Sequence, residues 1–253
     1  MSESQQTLAQ QSAYPSWSDI LVGPTFIINM DDCPDRMTIT EKRVRDAGYT
    51  DVRRMPAIDA RTCDLRAEWA VYGSPPFDVR DTEFVQYPGK QCCHLSWLKM
   101  LTHIISNEIP YATIFEDDVI FHKDYATLAP AFYEGTPKNF DYLYLGCQLD
   151  DPGRAMEITN APAFCTHALF FTLEGAKRLK KFLLEFPAGV STIDCMIHMT
   201  VTNMQWKDMS FIYYAWNAIK FHDPVRFMPK NWTKRNIGLV FQDYELGTFV
   251  RPW

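Results

Sequence analysis

The chain has 253 residues, of which 47% are apolar and 22% are charged, and its formal net charge is −6. This length can bury the core of one large domain or of two small ones, and the composition is that of an ordinary soluble globule. The negative charge excludes a general binder of nucleic acid or of anionic membranes. No apolar run reaches the about 20 residues that a transmembrane segment needs.

The amino-terminal segment carries no signal of regular structure. Residues 1–24 are predicted to form a flexible tail, because Met1–Ser18 is polar and rich in Gln and Ser. This segment lacks the basic-then-apolar order of a secretory signal. Seven cysteines, an odd number without the spacing of a disulfide framework, indicate reduced thiols and predict a cytoplasmic protein. Residues 25–253 are predicted to form one domain.

The first half of the chain alternates between predicted strands and helices. In chain order these are strand Thr25–Met30, helix Pro34–Arg45, strand Tyr49–Ile58, helix Leu65–Tyr72 and helix Lys90–Asn107. Asp31 and Asp32 precede Pro34 and are predicted to cap the first helix. Gly73–Gly89 contains three prolines and is predicted to be a long loop of the kind that covers a functional site.

The second half continues the alternation with shorter elements. They are strand Tyr111–Val119, helix Ala126–Tyr133 interrupted at Pro130, strand Asp141–Gly146, strand Phe164–Thr172, helices Glu174–Phe186 and Thr192–Asn203, and strands Met209–Tyr214 and Ala218–Phe221. No regular element is predicted between Asp223 and Trp253. The order favours an α/β fold with one mostly parallel central sheet flanked by helices.

The most informative stretch is Tyr111–Val119, an apolar run that ends in Glu116, Asp117 and Asp118. A buried strand does not hold three adjacent charges unless it ends where the sheet opens to water or to a cation. Ligands of open α/β sheets bind at the carboxyl ends of strands. Carboxylates suit Mg²⁺ or Mn²⁺, and a solvated acidic turn is the alternative.

Two further groups of residues could carry chemistry. Asp194 and His198 lie four residues apart on one predicted helix and could bind a metal, or Asp194 could act as a general base or simply favour the helix start. A late basic cluster could offset the charge of a diphosphate leaving group, or could be a solvated face. It comprises His222, Arg226, Lys230, Lys234 and Arg235.

An ordered series of motifs resembles glycosyltransferase family 25, the group of lipooligosaccharide and collagen-modifying galactosyltransferases. The matching stretches are Phe26–Arg36, Arg54–Asp59, Gly89–Trp97, Ile114–Val119, Asp141–Gly146, Gly175-Ala176 and Ile193-Asp194. Two positions depart from the family pattern. The family's Ser-His pair is Ser96-Trp97 here, and Lys90 replaces an acidic residue. Both departures bear on the acceptor and the donor sugar more than on the fold.

The resemblance implies a single GT-A-like nucleotide-sugar-binding domain with a divalent metal, Mn²⁺ or Mg²⁺, held at an acidic strand end. It implies transfer of a hexose, with galactose favoured, from a UDP-sugar donor to a glycan or hydroxylated acceptor, as in glycan biosynthesis. Asp118, Glu116 and His222 are the implied metal ligands. The residues implied to hold the nucleotide sugar are Asn29, Arg36, Asp59, Glu116, Asp117, Lys230 and Lys234. If the reaction inverts the anomeric centre, Asp194 is the implied catalytic base that deprotonates the incoming hydroxyl.

Two alternatives remain open at the level of the sequence. Trp97 and Lys90 leave room for a domain that binds a nucleotide sugar or a glycan without turnover, because fold does not fix function. A metal-dependent phosphoesterase could also use a carboxylate cluster. That reading requires more acidic and histidine ligands at other strand ends, where Asp59 and the Asp194–His198 pair are the candidates.

Overall fold

The computed structural model of the protein describes residues 14–73, 88–149, 154, 156–161, 163–185, 192–202, 212–218 and 235–246. In the amino-terminal half the elements are α1 (Trp17–Val22), β1 (Thr25–Asn29), α2 (Pro34–Asp46), β2 (Val52–Pro56), α3 (Leu65–Val71), α4 (Pro88–Ser106), β3 (Tyr111–Glu116), β4 (Val119–Phe121) and α5 (Tyr125–Gly135). The long helix and the strands predicted here are confirmed to within a few residues. Most of the predicted covering loop lies outside the described residues.

The carboxyl-terminal half adds the remaining strands and helices. They are β5 (Tyr142–Leu149), β6 (Glu157–Thr159), β7 (Phe164–Thr172), α6 (Leu173–Glu185), α7 (Ile193–Thr202), β8 (Tyr213–Asn217), β9 (Arg235–Gly238), β10 (Val240–Gln242) and a 3₁₀ turn at Tyr244–Leu246. No helix within the described ranges is long and apolar enough to cross a membrane.

The central sheet has the order β2-β1-β3-β7-β5-β8-β6, with β9 paired to β5. Of its eight described strands, β1, β2, β3, β5 and β8 run in one direction. The α/β fold with a mostly parallel sheet is therefore confirmed. The reversed strand β7 lies between β3 and β5 and pairs antiparallel with both.

The two faces of the sheet bury different apolar clusters, so the molecule has three layers. Ile28, Ile114 and Leu169 pack with residues of α4, α6 and α7. Ile27 and Phe115 are the chain neighbours of Ile28 and Ile114. Because successive side chains of a strand point to opposite faces, they pack with residues of α1, α2 and α5 on the other side of the sheet. Both faces of the inner strands are buried, which explains their nearly continuous apolar sequences.

The tail predicted for residues 1–24 is too long. Trp17–Val22 is helical, and Ser16 and Asp19 form a capping box at its start. Trp17 packs against the aromatic rings of Tyr125, Tyr133 and Trp216. The ring of Trp17 therefore anchors α1 to the core, although the polar sequence before it predicts a flexible tail. Met1–Ala13 lies outside the described residues.

The predicted caps of α2 are wrong. Cys33 is the N-cap residue and makes no side-chain capping bond. Asp31 instead forms an ion pair with Arg54, and Asp32 forms one with Arg61. These arginines come from β2 and the turn after it, so tertiary contacts outcompete the local capping bond.

The carboxyl-terminal region contains structure that the sequence did not predict. β9 and β10 lie between Asp223 and Trp253, where no regular element was expected. β10 pairs antiparallel with β4, directly after the acidic triplet. The last predicted pair of strands is a single strand, Tyr213–Asn217, over its described part. Three-residue strands carry too little periodicity to be found from sequence.

Candidate active site

A cleft opens at the carboxyl ends of β1 and β3. Its empty volume is about 820 Å³ including the part open to solvent, within the range of small-molecule sites. Because β1 and β3 are parallel and pair Ile28 with Glu116, their ends meet at one edge of the sheet. The polar or charged residues that line the cleft are Asn29, Arg36, Asp59, Ser96, Trp97, Glu116, Asp117, Asp118 and Gln242. Six of the predicted site residues are thus neighbours.

Asp117 has both carboxylate oxygens occupied by its own chain. Asn29 Nδ2 donates to Asp117 Oδ2 at 2.7 Å, and Arg36 Nη2 donates to Asp117 Oδ1. Thr40 Oγ1 donates to the Asp117 backbone carbonyl at 2.8 Å. Charge-assisted bonds of this kind fix orientation. Asp117 therefore joins the end of β3 to β1 and to α2.

Asp118 is the carboxylate whose environment suits a cation. Its Oδ2 lies 3.5 Å from Arg36 Nη2, while its buried Oδ1 has no hydrogen-bond partner among the described residues. Burial raises the pKa of Asp118 well above its usual value, the charge of Glu116 raises it further, and Arg36 lowers it. A buried carboxylate oxygen without a donor is costly unless a proton or a cation satisfies it.

Glu116 receives two hydrogen bonds at one oxygen. Thr166 Oγ1 donates to Glu116 Oε1 at 3.1 Å, and Trp97 Nε1 donates to the same atom at 3.4 Å. Burial raises the pKa of Glu116 to about 7, the two hydrogen bonds lower it, and the charges of Asp117 and Asp194 raise it. The second oxygen, Oε2, remains for a ligand. Trp97 departs from the family pattern, and its indole N–H donates a hydrogen bond directly to the acidic triplet.

Asp59 lines the cleft beyond the end of β2 and is held by Arg61. Arg61 Nε lies 2.9 Å from Asp59 Oδ1, and Arg61 Nη2 lies 2.6 Å from Asp59 Oδ2. The hydrogen bonds from Arg61 lower the pKa of Asp59, while partial burial opposes the shift. Asp59 is therefore an ionised acceptor at the edge of the cleft.

Asp194 sits in the first turn of α7, outside the lining of the cleft. Its Oδ1 accepts a hydrogen bond from the Cys195 amide at 2.9 Å, and its Oδ2 accepts one from the Cys165 amide at 3.3 Å. Cys165 has a φ of 65°, so this bond stabilises a left-handed residue at the start of β7. The charge of Asp194 still raises the pKa of Glu116, so the two carboxylates interact electrostatically.

Four of the five residues of the late basic cluster lie outside the described residues, and the fifth, Arg235, begins β9. These four are His222, Arg226, Lys230 and Lys234. Within the described ranges no group of three or more His, Cys, Asp or Glu side chains forms a metal site. Asp118 and Glu116 nevertheless fit a divalent cation in part, because they offer an unpartnered carboxylate oxygen and an available second oxygen on one side of the cleft.

The carboxyl-terminal strand β10 supports the acidic triplet, and sequence reasoning missed this. The Asp243 amide donates to the Asp118 carbonyl at 2.6 Å. Arg43 of α2 donates to Asp243 Oδ2 at 2.7 Å and to the Val119 carbonyl at 3.0 Å. Gln242 lines the cleft. The sequence around Asp243 does not predict this contact, because Asp243 and Asp118 are more than 100 residues apart in the chain.

Comparison with known proteins places the first half of the chain in a family. The model described as "Glycosyltransferase family 25 (LPS biosynthesis protein)" matches residues 23–154, which hold the described part of the cleft except Gln242. No curated protein matches the chain.

Three solved structures show partial likeness to the chain. One is a glycosyltransferase involved in glycosylation of the major capsid of PBCV-1, 12% identical, covering 80% of this chain and 82% of that chain with a TM-score of 0.40. The second is mouse xyloside xylosyltransferase 1 in its apo form, with 11% identity, coverage of 85% and 82%, and a TM-score of 0.41. The third is HddC from Yersinia pseudotuberculosis complexed with GMP-PN, with 10% identity, coverage of 86% and 93%, and a TM-score of 0.36.

Proposed function

The chain belongs to glycosyltransferase family 25, and we propose that it is a metal-dependent enzyme that moves a hexose from a UDP-sugar to a hydroxyl group. Galactose is the favoured hexose, and the acceptor is a glycan or a hydroxylated side chain. Glycosyltransferase activity follows from the family. The metal, the nucleotide and the sugar are the parts that the proposal adds.

The observation that carries the proposal is the buried, unpartnered Oδ1 of Asp118 beside Glu116. Two carboxylates in one buried place repel each other, and a bound cation removes that cost. When bound, a divalent cation supplies positive charge that stabilises a diphosphate leaving group. Asp118 and Glu116 are the described residues that would hold it, and His222 is proposed as a further ligand.

The contacts of the other cleft residues suggest a different role for each of them. Asn29 and Arg36 hold Asp117 rigid, so that β1, α2 and β3 present one fixed wall to the donor. Asp59, an ionised acceptor at the edge of the cleft, is proposed to accept hydrogen bonds from the donor's ribose hydroxyls. Lys230 and Lys234 are proposed to lie against the diphosphate.

Asp194 is proposed as the base of an inverting displacement. Each of its oxygens accepts one backbone hydrogen bond, and a carboxylate oxygen can accept more. The role requires Asp194 to face the acceptor hydroxyl on the side opposite the leaving diphosphate. The Cys165 amide donates to Asp194, and the next residue, Thr166, donates to Glu116, which supports proximity of Asp194 to the acidic triplet.

One feature favours a second candidate, a domain that binds the donor or a glycan without turnover. Trp97 fills the position where the family carries a histidine, it is fully buried, and it lines the cleft. If that histidine position takes part in chemistry, its loss leaves binding intact. Family membership now decides against the phosphoesterase alternative.

A panel of nucleotide sugars distinguishes the two candidates. The purified chain is incubated with UDP-hexoses and with GDP-linked controls, each with Mn²⁺ or with EDTA, and released sugar and nucleotide are measured. The transferase predicts Mn²⁺-dependent release from a UDP-hexose, fastest for UDP-galactose. Mn²⁺-dependent binding without release supports the binding domain. Equal release with EDTA contradicts the proposed metal.

A further inference from the structure

Two cysteine thiols meet at the edge of the cleft. Cys63 Sγ and Cys92 Sγ are 3.6 Å apart. Cys63 is half-buried in the turn between Asp59 and α3, and Cys92 is buried in the first turns of α4, where it lines the cleft. We propose that Cys63 and Cys92 form a redox-active pair that closes to a reversible disulfide under mild oxidation by a small-molecule disulfide.

Local hydrogen bonds already hold the two segments together. The Ile58 amide donates to Ser96 Oγ at 2.8 Å, and Ser96 Oγ donates to the Cys92 carbonyl at 2.7 Å. The Cys63 amide donates to the Asp59 carbonyl at 2.9 Å. A disulfide bond is about 2.0 Å long, so the sulfurs must approach by about 1.5 Å. The proposal requires side-chain rotation and a small shift of the exposed turn for that approach.

Glutathione disulfide serves as the oxidant, and the bond forms by two steps of thiol–disulfide exchange. The Cys63 thiolate, the more accessible of the two, attacks one glutathione sulfur, and the first glutathione leaves as a thiolate. Cys92 then gives its proton to solvent and attacks the Cys63 sulfur, which releases the second glutathione. Two protein thiols are oxidised and one glutathione disulfide is reduced. Burial raises the pKa of the Cys92 thiol, so the second step is the slower one.

The disulfide has a consequence for the cleft that rests on the proposed function. Cys92 and the Asp59–Ala60 turn both line it, and the bond draws the turn toward α4. A displacement of about 1 Å at a binding wall is enough to impair a fitted ligand. Oxidation is therefore expected to weaken UDP binding by at least about threefold, a step of roughly 0.6 kcal/mol.

The first test maps the bond without any nucleotide. The full chain is treated with glutathione disulfide, free thiols are alkylated, and the tryptic peptides are analysed by mass spectrometry. The expected product links Thr62–Arg66 to Gln91–Lys99, with two fewer alkylated thiols than the seven of the sequence. The second peptide also contains Cys93. The link must therefore survive in Cys93→Ser and vanish in Cys92→Ser. A lasting glutathione adduct on Cys63, a bond to Cys93, or no link overturns the proposal.

The second test measures UDP affinity of the reduced and the oxidised chain by calorimetry in Mn²⁺. Cys63→Ser, treated identically, is expected to show no change on oxidation. Equal affinity of both wild-type forms overturns the effect on the cleft. If the reduced chain does not bind UDP while the mapped bond forms, the proposed function fails and the disulfide stands.

Discussion

Glu116 depends on a side chain 19 residues earlier and on one 50 residues later. The indole N–H of Trp97 donates to its Oε1, and Trp97→Phe removes that donor while one aromatic ring is kept. A hydrogen bond to a charged group contributes about 1.5–3 kcal/mol. Sugar transfer is therefore expected to fall at least about tenfold, and the melting temperature is expected to fall as well, because the variant also loses buried ring atoms.

Trp69→Phe is the matched control for that variant. Trp69 is equally buried, and its indole N–H donates to Gln91 Oε1 at 3.2 Å, outside the lining of the cleft. This variant loses a buried indole donor without touching the acidic triplet. If both variants lower transfer equally, Trp97 acts through packing alone and its role at Glu116 is disproved.

The variant Asp194→Asn tests the proposed role of Asp194 as the catalytic base. The variant keeps an acceptor for one of the two backbone amides but cannot take a proton, so transfer is expected to fall at least about 10²-fold. Donor and metal affinity should survive, because a base faces the acceptor. Loss of UDP binding in calorimetry would reassign Asp194 to the donor site or to the stability of the fold. Near-normal transfer rates would remove the base assignment.

His167 makes stability depend on pH. Burial lowers its pKa from 6.5 to about 4, and the bond to the Val240 carbonyl opposes this. Nε2 lies 3.0 Å from that carbonyl and donates to it, so protonation would place an N–H at Nδ1, which is buried without a partner among the described residues. The unfolded chain binds the proton first. The contribution of neutral His167 to the stability of the fold is thus fully present above pH 6.5 and is lost as the pH falls toward 4.

Between pH 6.5 and pH 4, His167 is expected to lower the free energy of unfolding by about 3 kcal/mol. Urea unfolding across this range should show a shallower pH dependence for His167→Gln than for wild type. His103→Gln, on α4, is the control and should leave the slope unchanged. Equal slopes for all three proteins would show that His167 does not carry the acid sensitivity.

At the scale of elements, the support of the acidic triplet depends on β10. Arg43 joins α2 to both β4 and Asp243, whose side chain is 4% exposed. Arg43→Gln leaves a buried carboxylate without its cation and is expected to destabilise the fold by about 3 kcal/mol. Lys42→Gln on the same helix breaks an exposed pair with Asp46 and should cost under about 1 kcal/mol.

A second substitution shows that this effect belongs to the ion pair. Adding Asp243→Asn to Arg43→Gln removes the buried charge and should recover most of the stability, measured by thermal unfolding. If the double variant is no more stable than Arg43→Gln, packing and not charge holds β10 to α2. Losses that simply add would show the same lack of coupling.

The elements that the sequence predicts well are those with local signals. Pro34 marks the start of α2, and the spacing of Trp97, Leu101 and Ile104 marks α4. β10 has three residues, and its partner β4 lies more than 100 residues away. Its pairing depends on contacts that no window of sequence contains. The same reason explains the caps of α2, which tertiary arginines override.

For the molecule as a whole, the sequence locates the site because parallel strands bring their ends together. Asn29 and Glu116 belong to adjacent strands, so two local motifs meet at one edge of the sheet. The division of roles between neighbours is not visible in the sequence. Each carboxylate oxygen of Asp117 accepts a hydrogen bond, from Asn29 or from Arg36, whereas Asp118 keeps an unpartnered oxygen. That distinction requires the positions of donors from β1 and α2.

The reversed strand β7 shows a further limit at this scale. Its sequence, Phe164–Thr172, is as apolar as that of a parallel strand, and it pairs antiparallel with β3 and β5 in the middle of the sheet. Burial on both faces removes the alternation that distinguishes antiparallel strands. β7 also contributes Thr166 to the cleft side of the sheet, so its direction determines which side chain reaches Glu116.

Calorimetric binding of UDP in the presence of Mn²⁺ tests the central claim most directly, with wild type compared to Asp118→Asn and to the exposed control Asp46→Asn. The account predicts that wild type and Asp46→Asn bind UDP with Mn²⁺ and lose this binding with EDTA. Asp118→Asn should remain folded, because it removes a buried charge without a hydrogen-bond donor at Oδ1, and should lose the Mn²⁺-dependent binding. Wild-type affinity of Asp118→Asn for UDP and Mn²⁺ would contradict the account.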